Sequence, residues 1–195
     1  KMSAQFEYWQ TWFEEKFPEE LAAKLPEPPT GSKWTFSNLA DYLTTGDGAH
    51  GDAERGALVY EKSQCVKCHR FGGSGEVIGP DLSNVQKRFT RKEILEAIVF
   101  PAHVISDQYR SKQMVTTDGR TYSGLVVPGA EKEWIVLQAT GKKVAVPRDQ
   151  VETLEPNKQS AMPEKLLDTL TLQEITDLFA YLGTQSKSRV ARRPK

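Results

Sequence analysis

All the cysteine in this 195-residue chain lies in one pentapeptide, Cys65-Val66-Lys67-Cys68-His69. No other thiol is left for a disulfide framework, so the fold has to be organised around what these five residues hold. Cys-x-x-Cys-His is the attachment sequence of a c-type haem, with thioethers to the two vinyl groups and an imidazole on the iron. Thiols one helical turn apart reach both vinyl groups on one porphyrin edge, and the adjoining histidine then lies beneath the metal. Three rival readings are weaker. A zinc site needs further soft or imidazole ligands at matching spacing, and His50 and His103 stand in no paired motif. A thioredoxin-like pair needs a long following helix and no histidine, whereas Arg70-Phe71-Gly72-Gly73-Ser74-Gly75 reads as a flexible loop. A chance match in an ordinary core is the third.

With 38% hydrophobic residues the chain can bury one moderate core and a small second unit. Its formal net charge of zero argues against nucleic acid as a partner. The charge is uneven: residues 1–50 carry a net −4, and the last ninety a net +3, with Lys187, Arg189, Arg192, Arg193 and Lys195 in a tail that reads as a solvated, disordered end. No stretch approaches the 18 or so apolar residues of a membrane span. Residues 1–30 have no basic start followed by an apolar run and a cleavage site. Thioether attachment of haem takes place on the outer face of bacterial inner membranes. The chain is therefore expected to be periplasmic or otherwise extracytoplasmic, and excised from a longer polypeptide, with its export signal elsewhere.

Hydrophobic periodicity divides the chain into four parts. Residues 1–48 are expected to hold an aromatic helix from Gln5 to Lys24, a linker at Pro26-Glu27-Pro28-Pro29-Thr30-Gly31, and a short helix capped by Thr35 and ended by Gly46-Asp47-Gly48. Phe6, Trp9, Phe13 and Phe17 share one face of the first helix, a stripe that reads as packing surface or else as a docking face for a neighbouring domain. Residues 49–104 together with 159–186 form the expected helical core. One helix is capped by Asp52 and runs to the cysteines, another spans Arg91 to Val99, and a last one has Thr171 and Glu174 as a capping box. Gly56 permits a close crossing of first and last helices. Residues 105–158 change to a period of two: Gln108–Val115, Thr121–Val127, Glu133–Ala139, Lys142–Val146 and Gln150–Leu154 read as five short strands in a meander, a small curled sheet or partial barrel. Residues 187–195 are the basic tail. The class is a mainly α fold with an inserted antiparallel sheet, α+β overall.

If His69 holds one face of the iron, the occupant of the other decides the chemistry. Methionine suits electron transfer, because a soft thioether favours ferrous iron and raises the potential. Met162, in the proline-stiffened loop Ser160-Ala161-Met162-Pro163, is the favoured candidate. Met2 falls in the expected disordered end, and Met114 in a strand, where core packing is the simpler role. His50, His103 or an open site are the alternatives. Pro80 offers a carbonyl to the second ring nitrogen of His69. Arg70, Arg88 and Arg91 are candidates to neutralise the haem propionates, of which Arg88 is retained in the candidate site.

Gly51-Asp52-x-x-Arg55-Gly56, the pentapeptide with Arg70-Phe71-Gly72-Gly73, Gly79-Pro80-Asp81-Leu82, Arg88-Phe89, and Ser160 to Asp168 together resemble the haem-binding domain family of planctomycetes and verrucomicrobia. The likeness extends over nearly the whole chain. More distantly the chain is similar to class I cytochromes c. Members of the first family typically form the C-terminal part of large proteins classed as membrane-bound dehydrogenases. The resemblance implies one covalent haem c, His69 and Met162 as axial ligands, a sugar or alcohol dehydrogenase domain or subunit as electron donor, and a soluble or membrane-bound acceptor. It implies an electron-transfer module rather than an enzyme by itself; a haem sensor or peroxidase-like protein with an open or displaceable sixth ligand is the alternative. The 97 residues from Cys65 to Met162 exceed the gap in compact cytochromes c, and the insertion accounts for the excess.

Overall fold

The computed structural model describes residues 2–18, 25–157 and 159–184, so the basic tail lies outside the described residues. Six α-helices and five strands follow in the order α1 (Met2–Lys16), α2 (Phe36–Thr44), α3 (Ala53–Lys62), α4 (Val85–Arg88), α5 (Arg91–Val99), β1 (Lys112–Thr116), β2 (Thr121–Pro128), β3 (Glu133–Leu137), β4 (Lys143–Pro147), β5 (Val151–Pro156) and α6 (Leu172–Gly183). No described helix is long and apolar enough to cross a membrane.

The helical unit is built on the crossing of α3 and α6. Each helix starts on a side-chain cap, Asp52 for α3 and Thr171 with Glu174 for α6. A methyl group on Gly56 would overlap the carbonyl oxygen of Asp177, and one on Gly51 the carbonyl of Thr176, so two glycines set how closely the backbones meet. Asp177 is buried at the crossing. Its carboxylate accepts the Asp52 amide at 2.7 Å, Arg55 Nε at 2.7 Å and Arg55 Nη2 at 3.0 Å. Burial alone would raise its pKa; the Arg55 guanidinium, the Asp52 amide and Gln173 outweigh that and hold it below the ordinary carboxylate value. Around the crossing, Leu39, Leu43, Tyr60, Leu95, Leu170, Ile175, Leu178 and Phe179 form one apolar core.

Two helical expectations are corrected, both at helix ends. The first helix ends at Lys16 rather than Lys24, because Pro18 disfavours helical backbone at Phe17; residues 19–24 lie outside the described set. Of its aromatic stripe Trp9 and Phe17 are exposed and Phe13 is half-buried, the side chain of Phe6 lying outside the described residues, and the described rings of the helix meet one another edge-on or tilted, at 5.1–6.2 Å. The second correction concerns α3, which stops at Lys62. Gln64 takes a left-handed φ of 63°, and the cysteines sit on a separate 3-10 turn, Cys65–Lys67.

The sheet has the order β4-β3-β2-β1-β5, antiparallel throughout. Its fifth strand does not extend the meander past β4; it returns to the far edge and pairs with β1. Arg148–Gln150 form a 3-10 turn that lifts the chain off β4. The first strand begins at Lys112, later than expected, because Tyr109 and Arg110 donate their amides to the turn at Ser106 and Asp107. β2 serves two partners: residues 121–124 pair with β1 and 125–128 with β3. The bend between them falls at Gly124, where a side chain would overlap the carbonyl of Leu137. Met114, Val136 and Val146 are the small buried core inside this curve. Since Lys112 lies opposite Pro156 and the Asn157 amide donates to Ser111 O at 2.8 Å, the chain leaves and re-enters the helical unit side by side.

Candidate haem site

The 3-10 turn at Cys65 brings residues three apart into near eclipse, which stacks the two thiols on one side. The Cys68 and His69 amides both donate to Cys65 O, at 3.2 and 2.9 Å. Each cysteine is free, and burial pushes each thiol above its ordinary pKa, against the hydrogen bond shared with Ser63 at Cys65 and reinforced by Glu76 at Cys68. The glycine-rich stretch that follows is not a slack loop. Phe71 and Ser74 exchange both backbone hydrogen bonds around Gly72 and Gly73, whose φ values of 63° and 98° fit a tight hairpin turn, and Phe71 is driven into the core.

His69 is held from three sides. Its Nδ1 lies 2.8 Å from Pro80 O. A carbonyl only accepts, so Nδ1 carries the proton and Nε2 keeps a lone pair for a metal. Burial disfavours the imidazolium and lowers the His69 pKa, against the opposing pull of that carbonyl, so the neutral, ligating form is favoured. The ring lies against Gly79, where a side chain's first carbon would come within 2.7 Å of Cε1. Behind it, Tyr60 donates its hydroxyl to His69 O at 2.7 Å. Tyr60 is almost wholly buried, which raises its pKa and keeps it a donor, and it packs with Phe71 and Tyr181, whose ring centroids are 4.4 Å apart. The amides of Ile78 and Gly79 close the loop on Cys68 O, at 3.2 and 2.7 Å. Two adjacent free thiols and a neutral imidazole with one nitrogen fixed are a donor set that fits haem c.

Met162 is half-buried in the loop between β5 and α6, its amide donated to Ser160 Oγ at 3.1 Å. That loop is tied down from a distance. Leu167 and Leu170 enter the core on which Cys65, Val66 and Leu82 also pack. Trp34 Nε1 donates to the carbonyls of Leu167 and Leu170, Lys33 Nζ to Leu170 O at 2.8 Å, and Lys165 Nζ to Thr30 O at 2.6 Å. Residues 30–34, of which only Thr30 and Gly31 belong to the expected linker, are thus a strap on the Met162 loop.

The other candidates have contacts of their own. Arg88 is exposed, its guanidinium donating to Asp81 O at 3.2 Å and lying over Phe89. Arg70 pairs with Asp81 at 2.9 Å, and Arg91 donates to the carbonyls of Leu43 and Ala49. Met114 is fully buried in the sheet. His50 lies by Gly46 O, and the side chain of Met2 is outside the described residues. His103 is 3.7 Å from Glu96 and lines a cavity of about 270 Å³ with Pro26, Pro29, Phe100 and, from the Met162 loop, Glu164. Trp34 and Gly79 are positioning residues that sequence reasoning did not single out, Gly79 alone standing within a quoted motif, and Tyr60, which shares a helical face with Gly56 in the sequence, gains its bond to His69 O only in the fold.

A haem-attachment turn and an imidazole with one nitrogen free, set beside the close α3–α6 crossing, make up a site that fits a c-type haem. Residues 53–125 match the family model of cytochrome c, so the cofactor is a covalently bound haem c with its iron, and the associated chemistry is electron transfer. The matched stretch takes in α3 and the pentapeptide and stops short of Met162 and α6. The chain is also similar to a subunit of the nitric oxide reductase of Halomonas halodenitrificans, 33% identical over 58 residues, which are 30% of this chain and 37% of that protein. The matched part thus spans little more than a third of that relative's length.

Proposed function

We propose that the chain is an electron-transfer module in which Cys65 and Cys68 bear the haem, and His69 and Met162 are its axial ligands. The observation that carries this reading is the His69 Nδ1–Pro80 O hydrogen bond, which fixes the ring and leaves Nε2 as the only nitrogen with a free lone pair. When bound, the haem supplies a one-electron couple at iron. The residues of the chain orient the imidazole, hold the Met162 loop with Trp34 and Lys165, and keep the haem from water with the surrounding core. A thioether at the sixth position would favour ferrous iron.

The likeness to the planctomycete and verrucomicrobial haem-binding domains favours a dehydrogenase domain or subunit as donor. The similarity to part of a reductase supports a redox enzyme as partner in either direction. Electrons would pass on to a soluble or membrane-bound acceptor in an extracytoplasmic compartment. The module itself is a carrier rather than an enzyme.

Optical spectra of the haem-loaded chain test the ligand pair. The ferric protein is expected to have the weak far-red band of methionine–iron ligation, and Met162→Ala to lose it. A band that survives the substitution removes Met162 from the iron. Rapid carbon monoxide binding to the reduced wild type would replace the carrier reading with a sensor or peroxidase-like one.

A further inference from the structure

The inserted sheet has two buried faces, and only one is explained by its own core. Along β3, Val136 points into the cluster with Met114 and Val146, so Leu137 points to the opposite side. Leu137 is nevertheless only 2% exposed, and Leu125, its direct partner on β2, 7%. The next residue across is Lys143 on β4, the direct partner of Leu137. Cross-strand partners share a face, so Leu125, Leu137 and Lys143 form one row on the side turned away from the sheet's core.

The chain's contacts say where that row points. Lys143 Nζ bonds Glu76 Oε2 at 3.0 Å, and Glu76 in turn donates its amide to Val66 O at 3.1 Å, inside the pentapeptide. At the β3–β4 turn, Gly141 lies against the side chain of Lys67, close enough that an added methyl group would be 3.6 Å from its Cδ. Both contacts reach residues 66–76, one from the end of the row and one from the adjoining turn.

We propose that the sheet is a fixed cover for the haem-attachment turn. Its Leu125–Leu137–Lys143 row seats on residues 66–76 and closes the thioether side of the haem to water and to redox partners, so that electrons enter and leave at another edge. The inference rests on the haem reading above, and on no assumption about Met162. Glu76 and Lys143 act here as positioning residues.

Hydrogen–deuterium exchange of the haem-loaded chain, read at the Glu76, Ile78 and Gly79 amides, tests the seating. K143E and E76K are each expected to speed exchange there about two- to fivefold, the size of a half-exposed ion pair, and the charge swap K143E/E76K to restore it. L137A alters no charge; it is expected to speed exchange further and to lower the reduction potential, because water at the haem edge favours the ferric charge. Should L137A not fold, K143E at high salt serves as the potential measurement. Unchanged exchange in every single variant overturns the proposal. So does faster exchange with an unmoved potential, which would leave a contact that covers no haem. Failure of the underlying haem attachment has its own signature, a wild-type haem that extracts into acidified organic solvent.

Discussion

The segments bearing His69 and Met162 are fixed in different ways. The hydrogen bonds that orient His69 come from residues 60–80, namely the Pro80 carbonyl, the Tyr60 hydroxyl and the Cys65 carbonyl, with the Ile78 and Gly79 amides on Cys68 O. Lys143 on Glu76 is the long-range addition to this local frame. Beyond Ser160 and the loop's own turns at Lys165–Asp168 and Leu167–Leu170, the Met162 loop is bonded by residues 30–34, more than 130 positions earlier. A local frame of this kind costs little chain entropy to close, whereas the strap over Met162 forms only once α2 and α6 have packed. The difference implies a rigid attachment side and a loop side that opens first.

Trp34→Ala should break the contrast most. It removes an indole packed on the helical core along with its bonds to two carbonyls, and is expected to cost about 2 kcal/mol. Hydrogen exchange should rise across residues 160–170 while the amides of Cys68, His69 and Gly79 keep their protection. Equal loosening on both sides would show that the two segments open as one unit.

Asp177 sits at the crossing that joins both segments, so its loss should weaken both alike. Asp177→Asn leaves Arg55 and the Asp52 amide poorly matched, and is expected to cost about 1–3 kcal/mol in denaturant unfolding near neutral pH. The wild-type contribution has a sign in pH. The folded pKa lies below the unfolded value of about 4, so the stabilisation is complete above that value and is lost as pH falls through the folded one. The gap between wild type and variant should therefore close in acid. A gap independent of pH would mean that the carboxylate's charge is not what stabilises the crossing.

Tyr60→Phe is the smallest and most local of these changes. It deletes only the hydroxyl that reaches His69 O and is expected to cost about 1 kcal/mol, the buried carbonyl having lost its donor. Its effect should be confined to the attachment side, read as a shift in the Soret band or the reduction potential with exchange at 160–170 unchanged.

The same division between near and distant partners marks what was legible in the sequence. Thr35, Asp52 and Thr171 announce their helices because a cap bonds to amides two or three residues on. Asp118-Gly119 and Thr140-Gly141 announce hairpins because the turn needs a residue of positive φ at that place. Gln64, by contrast, carries no signal for the left-handed backbone that ends α3 before the cysteines. The aromatic face of α1 has the period of a buried helix, and period does not say whether anything lies against it.

By itself, then, the sequence determined the haem-attachment pentapeptide, the carbonyl of Pro80 behind His69, the helix caps, and the change from helical to strand period near residue 105. Each of these is settled within a few residues by backbone sterics, hydrogen-bond reach or covalent spacing. Tertiary structure alone decided that β5 returns to β1 and so brings the Met162 loop back to the helical unit, that residues 30–34 strap that loop, and that Lys143 meets Glu76. Those contacts join residues 35 to more than 130 positions apart. A pattern along the chain names the face a side chain takes but not the surface it meets.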